Sequence, residues 1–443
     1  MPDNLDPTRV ISVKGVHRLR RESGVTILMV AVGMFALLSM AILALDVVNV
    51  YMSSTQAQKA ADAAALAGAE ALASSGTTSN PSRFPLNSVC NGSNGDADSR
   101  AQAVAAQNMI AGLPPTTVTT ACPSTAPPSN PQIQVAVTRT GIPTFLAQMW
   151  GHTSSTVSAT ALAEAYNPQP NNPPIAIHGV KPWLIADCNP TPTTLCTGGP
   201  LLANAASFIG QPITLTLMPW DGPPSSSLPN AQFYALDGPA PVSCPPTSAV
   251  SCSQIGTGNP NLNYHDNIAC ENGFNFSNGQ FVGPGQVFHV DTRFATGTGN
   301  PQVQLETTAG TDCLIHASNA GTGQGQDIFT PPVPPAPVTI TGGSNNPNAS
   351  LRSVNGIHRS DSVVTVPVFD CPTTAGICPG AAQLQIAGFL QLGIQDINSP
   401  CSTPNLPCVI DAVLLNVAVI DPASTGTPIT GAGTSPVPVR LIH

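Results

Sequence analysis

RRESGVTILMVAVGMFALLSMAILALDVVNVYMSSTQAQKAADAAALAGAEALAS, residues 20–74, is the stretch on which the fold turns. Arg20 and Arg21 precede 22 residues, 24–45, that carry no charge. At 1.5 Å per helical residue that run is about 33 Å long, enough to cross the ~30 Å hydrocarbon core of a bilayer. Asp46 closes the run, but residues 47–74 hold no Pro and one Gly, Gly68, so the helical pattern continues. The expectation is a membrane-spanning helix that runs straight into an exposed, Ala-rich one.

Charge sets the orientation. Arg9, Lys14, Arg18, Arg20 and Arg21 are five of the 14 basic residues, and all precede the apolar run. Lys and Arg are held on the cytoplasmic side, so the N-terminus is expected inside and residues 46–443 outside. A cleaved secretion signal begins in the same way. Its apolar region is only ~7–15 residues, however, and ends at a small-residue site before a break. The longer run, with no break after it, favours an anchor.

Composition narrows the class of the region beyond the span. The 443 residues allow two or three domains, and only 8% of them are charged, against a usual ~25%. Pro (47) and Gly (38) are abundant beside Thr, Ser, Asn and Val, which suits short strands joined by turns. The first 23 residues hold 5 of the 14 basic and 3 of the 23 acidic groups (Asp3, Asp6, Glu22), leaving 9 against 20 and a net charge of −11. A sparse acidic surface argues against nucleic acid as a partner, because phosphates are met by basic stripes.

All 12 cysteines lie beyond the apolar run, as export to an oxidising compartment requires. No C-x-x-C occurs, so a zinc ribbon or thioredoxin-type site has no support. Four pairs are close in sequence: Cys188/Cys196, Cys244/Cys252, Cys371/Cys378 and Cys401/Cys408. Short loops closed by these would leave Cys90/Cys122 and Cys270/Cys313 as longer bridges. Spacing alone leaves the connectivity open.

Along the chain the expected units are a cytoplasmic lead (1–19), the anchor (20–45), an external helix with a small α+β unit (46–166), a Pro-rich linker (167–174, NPQPNNPP) and a β-rich domain (175–443). In the external helix Val47, Val50, Tyr51, Ser54, Ala57, Ala61, Ala64, Gly68 and Leu72 recur every three or four residues and form one stripe. That stripe could pack on its own domain, the commoner outcome, or on neighbouring subunits. A second Ala-rich helix is expected at 99–110, strands at 132–140 and 155–164, and a short helical turn at 144–150. Beyond the linker, strands at 213–217, 287–290, 363–368, 384–392, 413–420 and 437–442 are separated by Gly, Pro and Asn. They suggest an all-β, disulfide-braced domain, sandwich-like or a distorted barrel.

The segment resembles the N-terminal part of Tad (tight adherence, Flp pilus assembly) proteins of the TadG-like type. The residues that carry the likeness are Gly24, Asp46, Gln58, Ala61, Asp62, Ala65 and Gly68, within QKAADAAALAGA at 58–69. Residues 135–161 and 363–393 look similar to TadE/TadG-like chains more loosely. The resemblance implies a non-enzymatic, single-pass component of a pilus-assembly or adherence system in a bacterial inner membrane. Its implied partners are the lipid bilayer and other pilus-assembly proteins. Two departures stand out. Met29 occupies the position where prepilin-like members carry Glu, so processing after Gly24 and a major-pilin role are not implied. No Asp-x-Ser-x-Ser triplet occurs, so the metal-binding von Willebrand A domain of some members has no counterpart.

Motifs for chemistry are absent. There is no G-x-S-x-G, H-E-x-x-H, P-loop or G-x-G-x-x-G, so no catalytic residue and no cofactor is assigned. His265 and Asp266, adjacent in a strand, would face opposite ways, whereas His289 and Asp291 would share a face. Two residues do not complete a metal shell, and a solvated polar pair is the simpler reading. Trp183, Trp220, Tyr234, Tyr264 and Phe281 could stack on sugars, which would make the β domain an adhesin with surface glycans as partners. They could equally be the core of a chain with only 5% aromatics.

Overall fold

One helix, α1 (Leu19–Ser74, 56 residues), is about 84 Å long and dominates the computed structural model. The structure describes residues 19–123, 130–145, 148, 151–166, 175–187, 200–222, 226–239, 263–270, 274–277, 280–296, 301–318, 323–331, 336–370, 383–398, 401, 408–419, 429–430 and 437–442. The lead at 1–18, the linker at 167–174 and most of the helical turn expected at 144–150 lie outside those residues. Within α1 the hydroxyls of Ser39, Ser53 and Thr55 donate to carbonyls four residues back, at 2.8, 2.8 and 3.1 Å. They therefore ask nothing of their surroundings. The helix ends where Ser75 turns its hydroxyl onto the Leu72 carbonyl and Gly76 takes a φ of +80°.

The outer half of α1 lies on a small α/β unit. Past a single helical turn at Leu86–Val89, the next helix, α2 (Asp96–Gln107), starts at a buried carboxylate: Asp98 accepts the backbone N–H groups of Asn91, Gly92 and Gly95 at 2.8–3.1 Å. An acid there complements the helix N-terminus. Strands β1 (Thr117–Ala121), β2 (Gln132–Pro143) and β3 (Ser154–Ala165) form an antiparallel sheet, with a β-bulge between Arg139 and Ile142. Alternate residues of β2 and β3 (Ile133, Val135, Val137, Val157, Ala161, Ala163) face the helices. The fourth strand of this sheet comes from far along the chain. It is β11 (Val439–Ile442), antiparallel to β3 with Val439 opposite Ala165.

The second body is a barrel. Its strands are β5 (Trp183–Ala186), β6 (Pro212–Leu217), β7 (Asn230–Asp237), β8 (Val363–Asp370), β9 (Leu384–Asn398) and β10 (Val409–Val419). β8, β9, β10 and β6 pair antiparallel in that order. β6 pairs parallel with β7, β7 antiparallel with β5, and β5 parallel with β8, which closes the ring. A further strand, β4 (Ile175–Val180), branches from β8. This corrects the sandwich-like expectation. Two sheets face to face would leave four edges, whereas here the β5–β8 pairing removes them. Six strands enclose little space, so side chains fill it: Trp183, Leu215, Phe233, Val366, Leu390 and Leu392 are buried together.

The region is also not all β. It contains α3 (Pro200–Ala205), α4 (Asn263–Ala269) and α5 (Gln302–Leu314). Leu201, Tyr264, Ile268, Val303 and Leu314 from these helices belong to the barrel's core cluster.

A joint of about a dozen residues fixes the barrel to the α/β unit. Asn416 of β10 is fully buried, and its amide donates to the Ala73 carbonyl and to Thr78 Oγ1. Ser79 Oγ lies 2.5 Å from Asn416 Oδ1 and 2.8 Å from the Val417 carbonyl. Phe84 enters the barrel's own core cluster. The end of α1 and the loop after it are thus shared by both bodies.

Candidate anchoring and assembly surface

The two halves of α1 differ in what touches them. Among the described residues it is the single helix long and apolar enough to cross a membrane, and its apolar window has a mean hydropathy of 2.6 with no residue buried. From Val25 to Met52 nearly every large side chain is more than half exposed. From Ala57 to Ala73 one face disappears into the core: Ala57, Ala60, Ala61, Ala64, Ala65, Ala69 and Leu72 are fully buried. The small stripe packs on its own domain over this outer part. Its first members, Val47 and Tyr51, stay exposed.

The motif residues sort along the same division. Gly24 lies on the free arm with nothing near it. Asp46 is 8% exposed, and its Oδ1 accepts the Phe145 N–H at 2.6 Å. Gln58 donates to Asp62 one turn on, at 2.7 Å, beside a shallow cleft bordered by Thr160, Leu441 and Ile442. Ala61 and Ala65 are core residues. At Gly68 a Cβ would stand 2.6 Å from Ile133 Cδ1 and 3.2 Å from the Ala97 carbonyl, so only glycine lets α1, α2 and β2 meet there. Ala61, Ala65 and Gly68 thus serve internal packing, and the free arm is the surface left for lipid or other chains.

Disulfides join Cys90 to Cys122 and Cys401 to Cys408. Cys270 and Cys313 are disulfide-bonded as well. Cys188, Cys196, Cys244, Cys252, Cys371 and Cys378 lie outside the described residues.

The aromatic groove does not form. Trp183, Tyr234 and Tyr264 are fully buried, and burial pushes both phenols' pKa up. Trp220 is half-buried against a core cluster, and Phe281 alone is exposed. The His289–Asp291 pair separates too. His289 faces Asp237 at 3.8 Å, while Asp291 receives the Arg293 guanidinium, which also pairs with the fully buried Glu306 at 2.8 Å. His265 Nδ1 is 2.9 Å from Asp266 Oδ1, a hydrogen bond between neighbours inside α4 and not in a strand. Among the described residues, no three His, Cys, Asp or Glu side chains are grouped to hold a metal ion.

One cleft, of about 520 Å³, opens at the ends of β6, β7, β9 and β10. Asp327, Asp396 and Asp411 line it, with no Lys, Arg or His among the lining residues. Asp327 is taken up by the Gly343 N–H and the Asn346 amide, and Asp411 by the Asn398 amide. Asp312 nearby is pushed up to about 6 by burial and by the charge of Asp396. Among the described residues that line the cleft, no nucleophile stands beside a base.

Two contacts have no signal in the sequence. The Asp46–Phe145 bond spans 99 residues, and the Ser79–Asn416 contact spans 337. Neither follows from local periodicity.

Residues 24–71 match a family model described as putative Flp pilus-assembly TadE/G-like. No curated protein matches the chain. No solved structure matches it either.

Proposed function

We propose that this chain is a non-enzymatic, single-pass membrane component of a Tad/Flp-type pilus-assembly or adherence system. Residues 24–45 cross the inner membrane, and everything beyond Asp46 lies outside it. The observation that carries the reading is the coincidence of the matched segment with one helix whose apolar run is largely exposed and whose part from Ala57 to Ala73 belongs to the core of an α/β unit. Arg20 and Arg21 before the span support a cytoplasmic N-terminus. Its work is anchoring and assembly, with the barrel displayed outside. A glycan-binding barrel gains no support, since three of the five aromatics it would need are core.

The test has two parts. Intact mass and terminal sequencing of the protein from the membrane fraction should show residues 1–23 still attached, and alkaline carbonate should fail to extract it. In-cell crosslinking followed by mass spectrometry should recover pilus-assembly proteins. A chain starting beyond Leu45 and free in the soluble fraction would overturn the anchor, and crosslinks to no such protein would overturn the assembly role.

A further inference from the structure

The apolar surface of α1 does not stop at Asp46. Val47, Val48, Tyr51 and Met52 are 53–73% exposed, and Asp46 is the single charged residue between Gly24 and Lys59. That charge is turned away from the outside: Asp46 is 8% exposed and holds the Phe145 N–H. Three residues on, the Asn49 amide donates to the Pro143 carbonyl at 3.1 Å. Two bonds therefore clamp the turn after β2 to the helix just beyond the uncharged run. Phe145 is held at the level of Asp46 with 61% of its surface exposed.

We propose that Val47, Val48, Tyr51, Met52 and Phe145 form a collar that sits in the headgroup layer of the outer leaflet, so that the α/β unit rests on the bilayer surface. The proposal builds on the membrane-anchor reading and adds to it a depth and a second contact. Length supports it. Residues 24–45 cover about 33 Å, the hydrocarbon core, while residues 24–52 cover about 43 Å, close to the ~40–45 Å of a bilayer with its headgroups. Chemistry supports it as well. Tyrosine gathers at the membrane interface because a ring with a polar edge suits that layer, and Tyr51 lies at this height with the apolar ring of Phe145 exposed beside the same turn of the helix. A carboxylate at such depth would be costly unless partnered, and Asp46 is partnered by a backbone N–H of the same collar. The exposed apolar face is continuous from the span to the collar, so lipid is the occupant it meets first.

The experiment uses the full chain reconstituted in phosphatidylcholine vesicles. Phe145→Trp and Tyr51→Trp each add one tryptophan to the native three, and the added emission is compared with wild type. Lipids brominated high on the acyl chain should quench that increment at least about twofold more than lipids brominated near the chain end, as expected for interfacial rings. Aqueous iodide should have little effect. Leu37→Trp, in the middle of the span, should show the reverse preference between the two lipids. If Leu37→Trp is quenched by lipid while the collar variants are quenched only by iodide, the collar stands in water and the proposal fails alone. Collar variants shielded from both lipid and iodide would mean that protein covers them, which overturns it too. If Leu37→Trp escapes both lipids, the anchor itself falls, and the collar with it.

Discussion

Gly68 offers the sharpest check on how α1 meets its domain. Replacing a helical glycine by alanine in open space stabilises by about 1 kcal/mol. Here the new Cβ would sit 2.6 Å from Ile133 Cδ1, 3.2 Å from the Ala97 carbonyl and 3.3 Å from Ala101 Cβ. Ile133 is itself fully buried, so its side chain has no room to swing into, and the Ala97 carbonyl belongs to the backbone of α2. Overpacking of this kind costs about 1–3 kcal/mol and outweighs the propensity gain. We expect Gly68→Ala to lower stability by about 1 kcal/mol and Gly68→Val by at least about 3 kcal/mol. Pulse proteolysis of full-length protein in detergent across a urea series reads this directly. Ile133→Val deletes the nearest methyl and should recover part of the Gly68→Ala loss, although alone it costs about 1 kcal/mol. A Gly68→Ala protein more stable than wild type, or strictly additive losses in the double variant, would refute the close approach.

Other perturbations test other parts. Asn416→Ala removes the amide that holds the Ala73 carbonyl and should cost about 1–3 kcal/mol, with protease cleavage rising between residues 74 and 84. Unchanged cleavage would mean that the joint rests on Phe84 and on the bonds from Ser79, Asn80 and Arg83 to barrel-side carbonyls. Loop-closure entropy makes the 32-residue Cys90–Cys122 bridge worth about 4 kcal/mol and the 7-residue Cys401–Cys408 bridge about 2 kcal/mol, so paired Cys→Ala variants should lose stability in that order. Asp312 has its pKa raised to about 6 by burial and by Asp396, so the folded state holds its proton longer than the unfolded chain does. Its contribution is complete below about pH 4 and fades as pH rises towards 6. Asp312→Asn should flatten that part of the stability profile, and a steeper profile would contradict the assignment.

Some elements are plain in the sequence and others are hidden, for identifiable reasons. Residues 24–45 are legible because not one of them is charged, and 47–74 because alanine and the absence of Pro leave little but helix. β2 and β3 are legible because one face is buried and the other is not. β5 is hidden because Trp183–Ala186 is buried on both faces and shows no alternation. α5 is hidden because QVQLETTAGTDCL is rich in Thr and contains a Gly, and its buried Gln304, Glu306 and Thr307 look like surface residues. Barrel closure needs β5 beside β8, two strands about 180 residues apart, and no local pattern records that pairing. The same holds for the collar. Asp46 reads as the end of a span, whereas its partnership with the Phe145 backbone is a matter of tertiary structure.

The placement of β11 has a mechanical consequence. The barrel is spliced between two neighbouring strands, since Ala165 at the end of β3 lies opposite Val439 at the start of β11. Just past them the chain leaves and returns side by side, with the Tyr166 N–H on the Pro438 carbonyl. β11 therefore acts as a clasp: the chain that leaves the α/β unit for the barrel is tied back to that unit by four residue pairs. Arg440, paired with Glu164 and 4.6 Å over the Tyr166 ring, fastens the open end of that clasp. The clasp and the Asn416 and Phe84 joint thus hold the barrel to the α/β unit at two separate places.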